Sequence, residues 1–434
     1  MQKSFEQRFG ENLRRIRQRR NLTQRDLGRQ IGIGSPSISL WESGTRAPTV
    51  AHLEMLCRAL RCSADELLSL QPGAVPGNSG IKWTARPPQP GTLNDTHTIQ
   101  EGIRLFGILA SQSMTLAEIQ QESGQTGLRL ETALKAALLS GGIEINAAPR
   151  DAAREAQLIS RYGLLDCLVA HTSALPQDDA VDTMRAELVA FLAAFHCSER
   201  MRGLESAGIG GGYLTARFAD LVPPGLDDWF GLTWWSLLAT RRNISFSPAG
   251  ASANSIIARL LQRHPNMRGH MMPFINAHRR PDSVYRAAPD EERQELEYAR
   301  FVLRRAGQVQ AAFVTAGTPD LDYRQYDAEL GMPELVHLLE MLSDESRAAC
   351  AGDVLLNLLD HAGSPIGSPA ERAANEALVY GVNANGLQTI CAGGRPVWLL
   401  AARRQKTRIA RAALLAGIAN CLVVTDVIAD SLLV

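Results

Sequence analysis

The stretch LTQRDLGRQIGIGSPSISLWESGTRAP, residues 22–48, decides the fold of the N-terminal part of the chain. Thr23 is a favourable N-cap for a helix whose apolar face would carry Leu27 and Ile31. A turn that contains glycine follows, and Ser35 would begin a second short helix. Two short helices joined in this way predict a helix-turn-helix.

Charge and length set the context of this motif. The chain has 434 residues, enough for about three domains. Residues 1–70 hold 12 Lys/Arg and 7 Asp/Glu, so they carry +5 while the rest of the neutral chain carries −5. A basic front module suits a polyanion, although a solvated helix face produces the same charge run. Without a signal segment or a bilayer-spanning apolar run, we expect a cytoplasmic protein with no membrane partner.

The pattern along the chain predicts four segments. Five Pro and four Gly fall in residues 71–97 and predict a linker. After it, the order helix, helix, helix, short strand predicts a winged helix. The predicted segments are an all-α helix-turn-helix domain at 1–70, a Pro/Gly-rich linker at 71–97, a degenerate winged-helix-like domain at 98–148 and an α/β domain at 149–434.

The winged-helix-like segment has a charge that opposes DNA binding. Residues 99–146 contain three cationic side chains and five glutamates, a net charge of −2. Negative charge disfavours contact with phosphates. A spacer or dimerisation element is therefore the favoured interpretation of this segment, with DNA contact left open.

The α/β prediction for the last segment rests on short β-rich runs that alternate with helical patterns. Such alternation predicts a mainly parallel sheet covered by helices on both faces. The predicted strands lie in CLVAH, SAGIGG, QAAFVTAG, ALVYGV, PVWLLAA and NCLVVTD. Seven scattered cysteines lack metal-site spacing, and His264, His270 and His278 do not share one helix face, so no metal or cofactor is expected.

In residues 9–68 the sequence resembles the Xre family, the Cro/C1-type repressors, through LTQxxLxxxIG, the serine-rich helix, WExG and TRAP in order. The resemblance implies that Ile38 and Trp41 face the core. It implies phosphate contacts from Gln24 and Arg46. It also implies that Ser35, Pro36 and Leu40 face the major groove and that Ser37 approaches the DNA backbone or a base.

Serine at the reading positions predicts weak sequence discrimination. A bidentate arginine or glutamine contributes about 1–3 kcal/mol of discrimination per base, more than serine can. Two or four copies at a fixed half-site spacing would multiply the specificity. We therefore expect the rest of the chain to form a homodimer or homotetramer on a double-stranded DNA operator.

The C-terminal region resembles the SorC family of sugar-binding transcriptional regulators over about residues 150–434. The resemblance is carried by LISRYGLLDCLVAH, AGIGGGYLTARFADLV, ANSIIARLLQRHPNMRGHMMP, AFVTAGTPD, AGDVLLNLLDHAGSPI, ALVYGVNANGLQTI and the final segment that begins RPVWLLAARRQKTRIA. It implies a Rossmann-like effector domain of the sugar-phosphate isomerase/CoA-transferase type. It also implies a phosphorylated sugar ligand, and it explains the winged helix at 98–148.

The effector residues implied by this resemblance are Gly211, Gly212, Thr215 and Lys406. The sequence departs from the family pattern where hydroxyl residues are usual, at Tyr213 and Leu214, and where Arg403 replaces a glycine. Either the ligand differs from a phosphosugar or the pocket is retained only for assembly.

The sequence thus predicts a transcriptional regulator, a repressor, whose C-terminal domain oligomerises and binds a small-molecule effector such as a sugar phosphate. One alternative is a ligand-independent repressor of the prophage or mobile-element type. An enzyme that acts on sugar phosphates is a second alternative, with Asp353 and Asp426 available as carboxylates, but no paired acid and base emerges from the sequence. We therefore predict a protein that is not an enzyme.

Overall fold

A computed structural model gives the structure of the protein as two compact units, Met1–Val75 and Pro76–Val434. The residues that it describes are 9–10, 13–14, 16–18, 22–45, 48, 52, 55–56, 59–60, 81–85, 96–111, 116–123, 126–172, 175, 181–223, 229, 231–239, 252–273, 290–318 and 338–434.

The N-terminal unit contains two short helices joined by a turn. Helix α1 covers Gln24–Gln30 and helix α2 covers Ser35–Glu42. Thr23 and Asp26 form a reciprocal capping box, so the sequence itself fixes where α1 begins. The described core consists of Phe9, Leu13, Ile16, Leu27, Ile31, Ile38, Trp41, Leu56 and Leu60. The expected helix-turn-helix is confirmed, with Ile38 and Trp41 in the core.

The C-terminal unit begins with three helices and a two-stranded antiparallel sheet, the arrangement of a winged helix. In chain order the elements are β1 Lys82–Ala85, α3 Thr96–Ser111, α4 Leu116–Ser123, α5 Gly127–Leu139 and β2 Ile143–Ala147. Strand β1 pairs with β2, and Trp83 packs edge-on against Phe106 with ring centroids 5.1 Å apart. The linker predicted at residues 71–97 therefore contains a strand that the sequence analysis did not anticipate.

In the described residues, the rest of this unit is built on a sheet of nine strands. Its strands are β3 Asp166–Ala170, β4 Ser206–Ile209, β5 Thr233–Ser236, β6 Arg268–His270, β7 Ala311–Gly317, β8 Cys350–Val354, β9 Asn357–Asp360, β10 Val397–Ala401 and β11 Cys421–Thr425. Seven strands run parallel in the order β3-β11-β10-β7-β4-β5-β6, and the β8–β9 hairpin joins β7 in antiparallel fashion. The predicted parallel sheet is confirmed.

Helices cover both faces of this sheet, because each face carries its own buried apolar cluster. The helices are α6 Ala152–Tyr162, α7 Asp182–Arg200, α8 Tyr213–Leu221, α9 Ala253–Arg263, α10 Asp290–Ala306, α11 Asp344–Ala349, α12 Pro369–Leu378, α13 Ala384–Ala392, α14 Thr407–Leu415 and α15 Asp426–Leu433. None of the helices in the described part of the chain is long and apolar enough to cross a membrane.

One predicted strand is wrong. The run ALVYGV begins inside α12, and its remainder makes only an isolated bridge between Gly381 and Leu238. A capping box at Ser368 and Glu371, with proline in the first turn, starts this helix, and the helix continues to Leu378 through the first β-rich letters.

Candidate nucleic-acid interface and effector site

Helix α2 has a buried face and a solvent-exposed face. Pro36 is exposed and Leu40 is 40% exposed, whereas Ser35 and Ser37 are half-buried. The second helix of a helix-turn-helix is the one that lies in the major groove. The described geometry therefore leaves Pro36 and Leu40 accessible at the positions where the sequence predicts base contacts.

A buried carboxylate holds α2 in place. Glu42 accepts hydrogen bonds from Nε (2.5 Å) and a terminal nitrogen (2.9 Å) of Arg17, and from the amide of Gln24 (2.8 Å). Burial alone would raise the pKa of Glu42, but the hydrogen bonds from Arg17 and Gln24 outweigh it and the pKa is lowered. The charged network therefore ties the end of α2 to the start of α1.

This network changes the picture of Gln24, which is predicted to bind phosphate. A side-chain amide has two donor hydrogens, so the bond to Glu42 orients Gln24 and is compatible with a further bond to a phosphate. Arg46, the other predicted phosphate ligand, lies outside the described residues. The DNA contacts of all six predicted residues stay predictions.

The glycines of the predicted effector site lie at the topological switch point of the sheet. After β4 the chain adds β5 and β6 on one side, and it then returns to add β7, β10 and β11 on the other side of β4. In such sheets, ligands bind beyond the carboxyl ends of the strands where the order reverses. The loop at residues 210–212, here called the glycine loop, follows β4 at this position.

Close packing explains the glycines of this loop. Gly212 has φ of 124°, a backbone conformation that side chains disfavour, and a Cβ there would collide with Oγ1 of Thr315. That hydroxyl donates to the carbonyl of Gly211 at 3.0 Å. Gly212 is also the N-cap residue of helix α8, and it provides no side-chain hydrogen bond to the first turn. The glycine loop is thus held against β7 at the N-terminus of a helix, where anions are favoured.

The hydroxyl of Thr215 is already used within the protein. Thr215 is fully buried, and its Oγ1 donates to the carbonyl of Gly212 at 3.0 Å. This bond closes the first turn of α8 instead of presenting the hydroxyl to a ligand. The predicted ligand contact of Thr215 stays a prediction.

Tyr213 is also tied into the protein interior. Its hydroxyl donates to Glu187 at 2.8 Å, and Arg217 forms a buried ion pair with the same carboxylate at 2.7 Å. Burial raises the pKa of Tyr213 well above its usual value. The residue that replaces a usual hydroxyl side chain therefore anchors α8 to α7.

Lys406 and Asp353 influence each other's pKa. The pKa of Lys406 is lowered to about 8, mainly by burial and also by Arg403, while Asp353 and Asp182 oppose the shift. Burial raises the pKa of Asp353 to about 6, against the effects of the Leu356 amide and Lys406. Within the described part of the chain, no hydrogen bond or ion pair within 4 Å engages the Lys406 ammonium, and the carboxylates of Asp353 and Asp182 favour its charge.

Arg403, at the position of a family glycine, bridges two parts of the unit. Its guanidinium lies 3.3 Å from Glu131 on α5 and 3.8 Å from Asp182 at the start of α7. The sequence analysis noted Arg403 only as a departure from a pattern. Its partners lie more than 200 positions away, so no local signal could identify them.

The remaining carboxylate and histidine candidates have structural contacts. Asp426 is buried and accepts bonds from the amide (2.8 Å) and hydroxyl (2.5 Å) of Thr172. His264 caps α9 and His270 stacks on Trp235 at 4.1 Å, while His278 lies outside the described residues. The residues that the structure describes include no group of His, Cys, Asp and Glu side chains that could hold a metal ion.

The two units define a helix-turn-helix protein that carries a winged-helix-like domain and a parallel α/β domain. Residues 13–67 match the helix-turn-helix family. A stretch of 61 residues of this chain is 38% identical to the HTH-type transcriptional activator BcrR of Enterococcus faecalis. A stretch of 60 residues is 37% identical to a repressor protein of Salmonella phage P22. These matches cover 14% of this chain and only 30% and 28% of the curated relatives.

The C-terminal unit has the fold of a SorC regulator. The full-length sorbitol operon regulator SorC from Klebsiella pneumoniae superposes with a TM-score of 0.50 and 16% identity, over 78% of this chain and 100% of that one. At this identity the likeness establishes the fold alone. Both sequence resemblances are thus confirmed, the first as a helix-turn-helix domain and the second as a fold.

Proposed function

We propose that this protein is a cytoplasmic transcriptional regulator that binds a double-stranded DNA operator through its N-terminal unit and a small anionic effector through its α/β unit. The observation that carries the proposal is the combination of an exposed α2 face in a helix-turn-helix with a glycine loop at the switch point of a SorC-type sheet. Repression, predicted above, remains the expected direction, although one relative is named an activator and the other a repressor.

The DNA half of the proposal is supported by the charge and exposure of the N-terminal unit. A net +5 on residues 1–70 favours phosphate contact, while Pro36 and Leu40 offer little base discrimination. Weak discrimination by one module favours a homo-oligomer that presents several modules at a fixed spacing. Light scattering on the intact protein, alone and with a duplex of its own upstream region, measures the oligomeric mass. A monomer would contradict the assembly role of the C-terminal unit.

The DNA interface is tested by placing a negative charge on α2. Leu40→Glu should weaken operator binding at least about tenfold, because the new carboxylate would face phosphates across a short distance. Leu165→Glu is the matched control: Leu165 is 53% exposed but lies in the other unit, and this change should leave binding intact. Fluorescence anisotropy with a labelled operator measures the affinity of each variant. Equal operator affinities of the two variants would show that α2 does not contact the DNA bases.

The effector half is supported by position and charge. Lys406 lies after β10, at the same edge of the sheet as the glycine loop and the N-terminus of α8. Its pKa of about 8 favours the charged form at pH 7, which suits an anion at a helix N-terminus. The hydroxyls of Thr215 and Thr315 are engaged with backbone carbonyls. We therefore propose that an anionic metabolite is held by Lys406 and the backbone N–H groups of the glycine loop, with less help from hydroxyls than the family pattern implies.

We propose binding without turnover for this site. Asp353 accepts a hydrogen bond from the backbone amide of Leu356 at 2.8 Å, and Asp426 accepts one from the backbone amide of Thr172. Both carboxylates therefore stabilise local backbone structure. A thermal-shift screen of sugar phosphates, other phosphorylated metabolites and inorganic phosphate tests effector binding, because a ligand at a hundredfold excess over its Kd adds about 2.7 kcal/mol. Stabilisation that is lost in Lys406→Gln supports the proposal, whereas a complete lack of shifts favours a ligand-independent assembly domain.

A further inference from the structure

The third helix of the winged-helix-like domain is attached to the α/β domain by its side chains. Glu131 on α5 accepts hydrogen bonds from Arg403 at 3.3 Å and from the hydroxyl of Thr183 at 3.5 Å. The carbonyl of Leu138, near the end of the same helix, accepts from Arg217 at 3.5 Å. The helix that would read DNA in a winged helix therefore directs part of its polar surface towards its own α/β domain.

The guanidinium that holds Glu131 also belongs to the proposed effector site. Arg403 follows β10 and lies three residues before Lys406. Strands β4, β7 and β10 are adjacent and parallel, so Arg403 and the glycine loop, which follow β10 and β4, lie at the same edge of the sheet. The positive charge of Arg403 also lowers the pKa of both Lys406 and Tyr213. The Arg403 side chain thus contacts the winged-helix-like domain and also interacts electrostatically with the proposed effector site.

An anion bound at the glycine loop would change the forces on this contact. It would attract the Arg403 guanidinium and repel the Glu131 carboxylate, and both effects are strong where charges are partly removed from water. Side chains of Arg403 and Glu131 are only 20% and 16% exposed. A bound anion therefore weakens the attachment of α5.

We propose that Arg403 is a latch between the effector site and the winged-helix-like domain, and that an anionic ligand at the glycine loop opens the latch by competing with Glu131 for the guanidinium. The ligand half of this inference rests on the proposed function, and the latch half does not. Coupling between two binding events is reciprocal, so a variant that opens the latch and keeps Arg403 also binds the anion more tightly.

The latch is tested without ligand by hydrogen exchange of residues 127–139 in the intact protein. Arg403→Gln and Glu131→Gln should each speed exchange about three- to tenfold. Glu131→Gln also removes the pair of Glu131 with Lys135 at 3.1 Å, so the double variant should exchange no faster than Glu131→Gln alone. Arg404→Gln is the matched control, because the neighbouring Arg404 is exposed and the change removes the same charge. Unchanged exchange in both single variants, or additive effects in the double variant, would overturn the latch.

The coupling is tested with inorganic phosphate at constant ionic strength, with chloride as the balancing salt. Phosphate should speed α5 exchange in the wild type and in Arg404→Gln but not in Arg403→Gln, and Glu131→Gln should bind phosphate more tightly than the wild type. Thermal stabilisation by phosphate without any change in α5 exchange would refute the coupling. No stabilisation at all would overturn anion binding, and the coupling with it, while the ligand-free variants still decide the latch.

Discussion

Removal of the Arg17 guanidinium should loosen the N-terminal unit far more than removal of the Arg14 guanidinium. Arg17 and Arg14 both approach Glu42, but the Arg17 side chain is 11% exposed and the Arg14 side chain is 56% exposed. Arg17→Gln removes two hydrogen bonds to a fully buried carboxylate and a third, at 2.7 Å, to the carbonyl of Leu22. Loss of one partner of a buried pair costs about 3–5 kcal/mol.

Because Gln24 and Arg14 still face Glu42, we expect the lower end of that range, about 3 kcal/mol for Arg17→Gln. Arg14→Gln should cost under about 1 kcal/mol, as exposed pairs do. At about 1.4 kcal/mol for each factor of ten, the first variant should raise the opening equilibrium of α2 more than a hundredfold.

Amide exchange of residues 35–42 in the intact protein measures this difference. The lowered pKa of Glu42 adds a pH signature: its contribution is complete above the ordinary value of 4.5 and is lost as pH falls through the lower folded-state value. The wild type should therefore lose protection on acidification more steeply than Arg17→Gln. Equal exchange in the Arg17 and Arg14 variants would refute the role given to the buried pair.

Two further predictions concern the α/β unit. Gly212→Ala should destabilise it by about 2–4 kcal/mol, because a Cβ meets Thr315 and φ is positive, whereas Gly163→Ala, with positive φ but open space, should cost about 1 kcal/mol in thermal unfolding; equal losses would contradict the role of the close contact. Asp353 retains a proton in the folded state up to a pKa of about 6 against an ordinary 3.8, so wild-type stability should fall as pH rises between these values. Asp353→Asn should remove that slope in unfolding curves measured from pH 4 to 7, and an unchanged slope would assign it to another group.

Sequence signals that act over a few residues predicted their elements well. The capping residue Thr23 and the apolar spacing of Leu27, Ile31 and Ile38 predicted the helix-turn-helix, because each acts within two turns of helix. The parallel strands near residues 168, 208, 313, 399 and 423 were predicted from apolar β-rich runs, since strands buried on both faces need continuous apolar sequence.

Features that depend on distant partners were not predicted. The β8–β9 hairpin turns at Leu355 and Leu356, which have φ of 53° and 61°, although such turns usually carry glycine or asparagine. Burial of both leucines stabilises this disfavoured conformation, and no turn motif indicates it. In the candidate site, the glycines and Lys406 were proposed from the order of motifs in the sequence, and their ligand contacts stay predictions. The Glu131–Arg403 contact depends on a tertiary fold that local patterns do not encode.

The pairing of β1 with β2 bears on how the C-terminal unit is to be produced by itself. A truncation at residue 97, the end of the Pro/Gly-rich segment, would delete β1 and leave the backbone of β2 without its partner. It would also remove Trp83 from its contact with Phe106. An unpaired strand edge is a template for association between chains. A fragment that begins before Lys82 keeps that edge covered, and its measured mass then reports native assembly instead of aggregation through an exposed strand.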